Sequence, residues 1–411
     1  MSNLSSRARS AIRLIAATAV LTVLASCGGG TQNIVYVPNS LVVADFTGDG
    51  KPDIAVALAQ VDETGLSEPD GLLDLIRSTS TAGSYYSGVT TDTGPKPPSG
   101  IATGDIMGTG AHDIVVASNA GGSVGLLTET SPTSGTFNAV KTITTGGNPN
   151  QLTLADINGD GALDIVVADG SGHVLILLQD PNNHGSFGTP ISLAVPTRGA
   201  SVAVADLDGD GLPDIVATSY DASGANGEVQ VFYQNAGATS TTVSFQDPVE
   251  IASGCTPSQV VTADLTGTGL QSVLVACQGL ADGNMGLMVI PQTSARVFGD
   301  AVITATSSGY GAISLAVGDL DHDGLPDVVL SSLYPTYYGN VSIMIQDPNN
   351  PGTFAALGTY DCLGQPVRVQ LADMNGDGYL DIVVADATTA GVLLGDPSVP
   401  GTFGSEYQVG Y

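Results

Sequence analysis

The sequence predicts an all-β protein, a seven-bladed β-propeller with four short strands in each blade. A loop rich in aspartate and glycine, with short apolar segments on both sides, occurs seven times in the 411 residues. Successive copies start 60, 51, 50, 58, 55 and 54 residues apart. An all-β unit of about 50 residues that recurs in this way is typical of a propeller, with one blade per repeat. The copies start at Asp45, Asp105, Asp156, Asp206, Asp264, Asp319 and Asp373.

The composition agrees with one closed ring of blades. The chain has 54 glycines and 22 prolines, which supply the turns that short strands need. Hydrophobic residues make up 42% of the chain and charged residues only 12%, so there is enough apolar surface for a large core. The length alone allows two or three domains, but no linker or low-complexity segment interrupts the repeats. We therefore assign residues 41–411 to a single propeller.

The fourth copy of the loop has the most complete pattern. Residues Asp206–Asp214 read DLDGDGLPD, with carboxylates at loop positions one, three, five and nine. Oxygens that alternate in this way turn toward a common centre and suit Ca²⁺, which takes about six to eight oxygen ligands. Gly211 at position six must turn the chain sharply, and we expect a positive φ there. An EF-hand is excluded because strands flank the loop and because Ala217 stands where an EF-hand has glutamate.

Five of the seven loops keep this ligand pattern, which predicts about five calcium sites. The predicted ligand sets are Asp45, Thr47, Asp49 and Asp53; Asp156, Asn158, Asp160 and Asp164; Asp206, Asp208, Asp210 and Asp214; Asp319, Asp321, Asp323 and Asp327; and Asp373, Asn375, Asp377 and Asp381. The loops at Asp105 and Asp264 keep their glycines but lose acids, so we expect the turn without a metal. Because the acids repel one another, we expect the metal-free protein to be less stable.

Each repeat is predicted to contain strand A, the metal loop, strand B, strand C, a turn and strand D. This unit resembles the FG-GAP/VCBS repeats, whose best-known members are the N-terminal propellers of integrin α subunits. The resemblance rests on segments such as Val43–Val56 and on Phe-Gly turns such as Gly401–Gly404, and it extends over about residues 41–411. In that family the loop between strands A and B binds calcium. The resemblance thus implies calcium in the five intact loops and questions it in the other two.

The first 27 residues resemble a bacterial export signal. Three arginines precede the apolar stretch Leu14–Leu24, which is too short to span a bilayer. Leu24–Cys27 resembles a lipobox, which implies cleavage before Cys27 and a lipid on its sulfur. The alternative is an ordinary signal peptide with a cysteine near the cleavage site. We expect an exported protein that touches a bacterial membrane, at the outer membrane or cell surface, only through its lipid.

Residues 28–40 are interpreted as a flexible tether that includes a candidate strand at Asn33–Val37. This strand would either pair with the last blade and close the ring or cap an edge. The C-terminal run Glu406–Val409 competes for the same place, and the sequence leaves the choice open.

Three cysteines remain after Cys27. Cys255 precedes strand A of the fifth repeat and Cys277 follows its strand B, and these two ends are neighbours in a hairpin. We therefore hypothesise a Cys255–Cys277 disulfide, which an exported protein allows. The alternative is two buried free thiols, and Cys362 is left unpaired in either case.

The net charge of −30 argues against nucleic-acid binding, since the chain has no basic patch. The five intact loops hold 17 of the 40 acidic residues, so much of the acidity belongs to predicted metal sites. No serine-hydrolase elbow, zinc-protease motif or phosphate-binding loop occurs, and the four histidines are scattered over different repeats. We therefore predict that the protein is not an enzyme.

The predicted ligand surface lies opposite the metal loops, where strand B connects to strand C. Insertions there span Gln60–Asp70, Ser219–Gly227 and Ser331–Asn340, and the last two carry Tyr220, Tyr334, Tyr337 and Tyr338. Tyrosines in polar loops suit binding surfaces, although tolerated insertions with locally packed tyrosines explain them equally well.

The leading prediction is a recognition or adhesion module for an extracellular or envelope protein. The alternatives are a calcium-dependent lectin that binds a glycan and a structural envelope component. Against the lectin, the chain has no tryptophan and only 5% aromatic residues. Nothing in the sequence indicates oligomerisation, so we expect a monomer.

Overall fold

The computed structural model describes residues 35–61, 67–79, 84–94, 97–221, 227–280, 286–306, 311–333, 339–386 and 390–409. It forms seven antiparallel sheets of four strands, so the predicted seven-bladed β-propeller is confirmed. In these stretches, no helix combines the length and the hydrophobicity needed to cross a membrane.

Each blade is built from consecutive strands. Blade 1 contains β1 (Val35–Ala44), β2 (Asp53–Val61), β3 (Ser67–Ser78) and β4 (Tyr85–Gly94); blade 2 contains β5 (Gly100–Gly104), β6 (Asp113–Ser118), β7 (Ser123–Leu127) and β8 (Lys141–Thr144); and blade 3 contains β9 (Pro149–Ala155), β10 (Asp164–Asp169), β11 (His173–Leu177) and β12 (Ile191–Ala194). Blade 4 contains β13 (Arg198–Ala205), β14 (Asp214–Tyr220), β15 (Gly227–Phe232) and β16 (Val249–Ser253). A short 3-10 helix at Asn119–Gly121 joins β6 to β7.

The remaining three blades follow the same order, with one addition in blade 5. Blade 5 contains β17 (Cys255–Ala263), β18 (Ser272–Leu280), β19 (Gly286–Ile290) and β22 (Val302–Ala305). The connection from β19 to β22 contains a small separate ribbon of β20 (Gln292–Ser294) and β21 (Val297–Phe298). Blade 6 contains β23 (Ala312–Gly318), β24 (Asp327–Leu333), β25 (Gly339–Gln346) and β26 (Phe354–Cys362), and blade 7 contains β27 (Arg368–Ala372), β28 (Asp381–Ala385), β29 (Ala390–Leu393) and β30 (Tyr407–Val409).

The repeated loop, numbered 1 to 7 with its blade, joins the first strand of each blade to the second. The residue before the loop pairs with the residue at position nine, as Ala205 does with Asp214 in blade 4. Loops that lost acids keep this register, since Gly104 pairs with Asp113 and Ala263 with Ser272. The turn therefore persists in loops 2 and 5, as the sequence predicts.

Apolar clusters hold the blades together, one at each of the seven interfaces. The second strand of a blade lies between two neighbouring blades, and for this reason both of its faces are apolar. All six residues of β6 and of β10 are buried. The outermost strands instead face solvent, as in β8 and β22.

A belt of hydrogen bonds connects the innermost strands around the whole ring. Each bond joins a polar side chain of one innermost segment to the backbone of the next blade or of the previous one. The pairs are Asn39 Nδ2 to Pro98 O (2.7 Å), Ser99 Oγ to Pro149 O (2.8 Å), Asn150 Nδ2 to Gly199 O (2.9 Å), Val260 N to Ser201 Oγ (3.2 Å), Ser258 Oγ to Ala312 O (2.8 Å), Val369 N to Ser314 Oγ (3.2 Å) and Val43 N to Gln370 Oε1 (2.8 Å).

The ring closes without strand exchange, which decides between the two candidate segments that the sequence left open. The segment from Val35 is the start of β1 and does not pair with the last blade, so the propeller begins at Val35 rather than at residue 41. The C-terminal strand Tyr407–Val409 pairs with β29 inside blade 7. Closure instead rests on the apolar cluster shared by blades 1 and 7 and on the bond between Gln370 and Val43.

Candidate metal centre

The first aspartate of each loop holds the loop closed through the loop's own backbone. Asp45 accepts hydrogen bonds from the amides at positions five and six, at 3.1 and 2.8 Å. Loop 2 has no acid at positions three and five, yet its first aspartate, Asp105, accepts the same two bonds, both at 2.8 Å. Gly211 has a φ of 85°, as expected for position six. The shape of the loop therefore needs no metal.

The aspartate at position nine ties the loop to the rest of its blade. Asp214 is fully buried. Its Oδ1 accepts a hydrogen bond from the amide of Gln234, which follows the third strand, at 2.8 Å, and its Oδ2 accepts one from the amide of Leu207 in the loop, at 2.9 Å. Asp113 of loop 2 also accepts two amides, from Glu129 at 2.9 Å and from Met107 in the loop at 2.8 Å, although loop 2 lacks acids at positions three and five. In blade 5, Ser272 Oγ accepts the amide of Gln292, at 3.2 Å. Position nine thus has a structural role that is independent of metal.

Burial raises the pKa of the carboxyls at position nine. The pKa rises to about 7 for Asp164 and to about 6 for Asp214, Asp327 and Asp381. Backbone hydrogen bonds oppose this effect of burial, while repulsion by the other acids of the loop adds to it. A divalent cation in the loop would favour the charged carboxylates.

The acids converge most closely in loops 4 and 6. One carboxylate oxygen from each of Asp206, Asp208 and Asp210 lies within 4.8 Å of the others, and the same holds for Asp319, Asp321 and Asp327. In loop 6, Asp319 Oδ1 is buried and accepts no hydrogen bond from the described residues. A buried carboxylate oxygen without a donor, in a site that offers only oxygen ligands, fits a hard cation such as Ca²⁺.

Loops 1, 3 and 7 have a neutral residue as the predicted ligand at position three. Asn158 Nδ2 donates to Asp160 Oδ2 at 3.0 Å, and Asn375 Nδ2 donates to Asp377 Oδ2 at the same distance. In loop 1, Thr47 occupies this position. These three loops carry one acid fewer than loops 4 and 6.

Loop 4 also contacts a cation from the neighbouring blade. Arg296, in the turn between β20 and β21, donates to Asp208 Oδ2 through Nη2 and through Nε, the latter at 2.7 Å. Its guanidinium also donates to Gln246 Oε1 at 3.1 Å and lies 4.5 Å from the ring centroid of Tyr233. No sequence pattern indicates this contact, because Arg296 lies 88 positions from Asp208.

Two further residue types support the loops and were also missed. Position two of every loop is a buried apolar anchor, and its recurrence in all seven copies was a signal in the sequence. The anchors are Phe46, Ile106, Ile157, Leu207, Leu265, Leu320 and Met374. A glutamine after the third strand holds the carbonyl at position eight in blades 3, 4 and 6, as Gln179 Nε2 does at 3.0 Å from Leu163 O.

The other predicted site residues have mixed outcomes. The structure joins Cys255 and Cys277 in a disulfide, with Cα atoms 5.6 Å apart, and Cys362 is a buried free thiol. Tyr220 ends β14 and is partly exposed. Cys27, Tyr334, Tyr337 and Tyr338 lie outside the described residues.

Comparisons with known proteins agree with this geometry. A family model described as FG-GAP-like repeat matches residues 105–167, 156–217 and 319–384, and a model of the FG-GAP repeat matches residues 37–65. A search of curated proteins found no significant match.

Two solved structures illustrate the fold. The chain is similar to BBS1N in its complex with ARL6DN, with 12% identity, a TM-score of 0.53 and coverage of 90% of this chain and 94% of that one. It is also similar to a putative 6-phosphogluconolactonase from Bacteroides uniformis, with 14% identity, a TM-score of 0.55 and coverage of 91% and 97%. At such identities these likenesses show the fold alone. The family models and the seven blades together show that the chain belongs to the FG-GAP repeat family of β-propellers.

Proposed function

We propose that this propeller is a calcium-stabilised, lipid-anchored module outside the cytoplasm, which recognises a protein partner with the face opposite its metal loops. FG-GAP repeats often bind Ca²⁺ and are usually extracellular or envelope-associated, and their propellers are typically non-catalytic. The fold is consistent with a protein-interaction module. One of the two similar solved structures is a protein complex and the other is described as a putative enzyme, so neither decides the function of this chain.

The observation that carries the proposal is the contrast between the two faces. On the metal-loop face, every blade has a loop of the same length and register. Because this register is fixed, any extra length of the second strand extends toward the opposite face, which we call the hairpin face. The second strand has 9, 7, 9 and 7 residues in blades 1, 4, 5 and 6, but 6, 6 and 5 in blades 2, 3 and 7.

This variation is the arrangement that binding scaffolds use. A constant framework on one side holds loops of variable length on the other, and those loops take on recognition. Blades 4, 5 and 6 all have longer second strands and are adjacent in the ring, so these strands end in one area of the hairpin face. Tyr220 ends the second strand of blade 4 in this area.

Calcium would act on the opposite face as a structural ion. The four acids of loop 6 are Asp319, Asp321, Asp323 and Asp327, and no basic side chain among the described residues pairs with them. A divalent ion there would offset their repulsion and fix the start of the second strand. The ion would thus stabilise the framework from which the hairpins extend.

Recognition can be tested by cross-linking the full-length protein in intact cells and identifying the captured partner. We expect simultaneous Tyr334→Ala, Tyr337→Ala and Tyr338→Ala changes to reduce capture strongly. Tyr86→Ala is the matched control, because Tyr86 is an exposed tyrosine at the metal-loop end of β4. Equal capture by the triple variant and the control would contradict recognition through the hairpin face.

A glycan array with residues 28–411, in calcium and again with chelator, separates this proposal from the lectin alternative. The proposal predicts a blank array from folded protein, whereas a calcium-dependent sugar signal would favour the lectin.

The lipid anchor is tested by metabolic labelling with palmitate. We expect Cys27→Ser to abolish the label and to release the protein from the membrane fraction, and a labelled variant would contradict the anchor.

A further inference from the structure

Arg296 occupies a backbone position that is glycine in four equivalent turns. The residue two before the turn phenylalanine is Gly135 in blade 2, Gly185 in blade 3, Gly352 in blade 6 and Gly401 in blade 7. All four glycines have φ between 56° and 88°. Arg296 adopts the same left-handed conformation, with φ of 60°, which residues with a Cβ rarely adopt.

The backbone hydrogen bond made at this turn position is the same whether the residue is arginine or glycine. Arg296 N donates to the carbonyl of Leu207, at position two of loop 4, at 3.2 Å. Gly401 N donates to the equivalent carbonyl of Leu320 in loop 6 at 2.9 Å. The turn therefore does not need an arginine. What the arginine adds is a guanidinium at loop 4.

Loops 4 and 6 form a matched pair within the chain. They read DLDGDGLPD and DLDHDGLPD, so they have identical acids and differ only at position four. At position three, Oδ1 of Asp208 and of Asp321 accepts the amide of position five, at 3.1 Å in both loops. Oδ2 of Asp208 additionally accepts both bonds from Arg296, so both of its oxygens are engaged.

We infer that Arg296 is a built-in cation that weakens calcium binding at loop 4, so that loop 6 binds Ca²⁺ more tightly although the two loops carry the same acids. This inference rests on the proposed calcium function. The guanidinium occupies an oxygen that the ion would use, and its positive charge repels a divalent ion a few ångströms away. The ion pair, the contact with Tyr233 and the hydrogen bond to Gln246 hold the arginine in place.

The arginine also links two blades. It connects loop 4 to the turn of blade 5, and loop 5 is one of the two that lost their acids. Beside the apolar cluster of this interface, the ion pair thus adds a link between blades 4 and 5 that needs no calcium. The disulfide between Cys255 and Cys277 lies in the same blade.

The test is a reciprocal exchange, read by calcium titration calorimetry on the mature protein. Wild type is expected to bind four ions tightly and a fifth at least about tenfold more weakly. Arg296→Gly should give five tight sites, because glycine suits the backbone and the guanidinium is gone. Gly401→Arg should remove one tight site, because it places a guanidinium beside loop 6. A Cβ at Gly401 would lie 3.4 Å from Asp321 Cβ and from Leu357 Cδ2, and the φ of 83° is left-handed, as is that of Arg296.

Site-specific variants identify the loops, and a control separates local charge from net charge. Asp323→Asn should remove one tight site from wild type, whereas Asp210→Asn should leave the tight sites unchanged. Arg198→Ala removes the same charge from an exposed position at the start of β13 and should also leave them unchanged. Five equivalent sites in wild type, or an unchanged titration for Arg296→Gly, would overturn the inference. No calcium binding at all would overturn the proposed function instead.

Discussion

Asp113→Ala tests the claim that the aspartate at position nine is structural and independent of metal. The side chain is buried, and its two oxygens accept amides at 2.8 and 2.9 Å. Alanine leaves two buried N–H groups without acceptors, at about 1–3 kcal/mol each. Because the variant no longer buries a carboxylate, part of this loss is offset. We expect the free energy of unfolding to fall by about 2–5 kcal/mol.

The assay is thermal unfolding by circular dichroism, in calcium and in chelator. With an unfolding entropy of about 2 cal/mol/K per residue, this loss corresponds to a fall in Tm of about 3–6 °C for a chain of this size. Loop 2 lacks the acids at positions three and five, so the fall should be the same in both buffers. The matched variant Asp164→Ala removes the same type of bonds from an intact loop, and its fall should be larger in calcium.

Two results would refute this reasoning. If Asp113→Ala unfolds within 1 °C of wild type (about 1 kcal/mol for a chain of this size), the two hydrogen bonds contribute little. If its fall in Tm appears only in calcium, loop 2 binds a metal despite its missing acids.

Four further predictions concern metal, pH, ring closure and redox state. Chelation should lower the Tm of wild type by about 13 °C, since four tight sites, each filled at 100 times its Kd, together contribute about 11 kcal/mol. The pKa values of the carboxyls at position nine, about 6 to 7 in Asp164 and Asp214, lie above their unfolded value, so the native state binds more protons. The chelated protein should therefore lose stability as the pH rises from 4 to 7, and a Tm series that rises with pH would contradict this. Gln370→Ala removes the acceptor of Val43 N. It should lower the Tm by about 1–4 °C and speed hydrogen exchange in β1. Unchanged exchange would count against closure through this bond. Non-reducing peptide mapping should recover Cys255 linked to Cys277 and Cys362 as a free thiol, and free thiols at all three positions would contradict the pairing.

The blades and the metal loops could be predicted from the sequence because both are local patterns. Strand, loop and strand are adjacent in the chain, and acids and glycines recur at fixed positions in each copy. The turn also persists in loops 2 and 5, because the first aspartate and the glycines suffice to shape it.

The features that the sequence did not reveal depend on contacts between distant segments. Ring closure is set by packing between the first and last blades, and the sequence leaves open whether the candidate strand at Asn33–Val37 pairs with the last blade or caps an edge. The ion pair of Arg296 with Asp208 joins two repeats, so no pattern within one repeat predicts it. The structural role of position nine was hidden because the same aspartate also suits a metal. Only the comparison with Asp113, in a loop without the other acids, separates the two roles.

A crystal structure of the mature protein grown in calcium, with the ions located by anomalous scattering, tests the central claim most directly. We predict strong peaks in loops 1, 3, 6 and 7, a weaker peak or none in loop 4 beside Arg296, and no peak in loops 2 and 5. Empty loops at saturating calcium would contradict a calcium-stabilised propeller. Peaks of equal height in loops 4 and 6 would contradict the role of Arg296 alone.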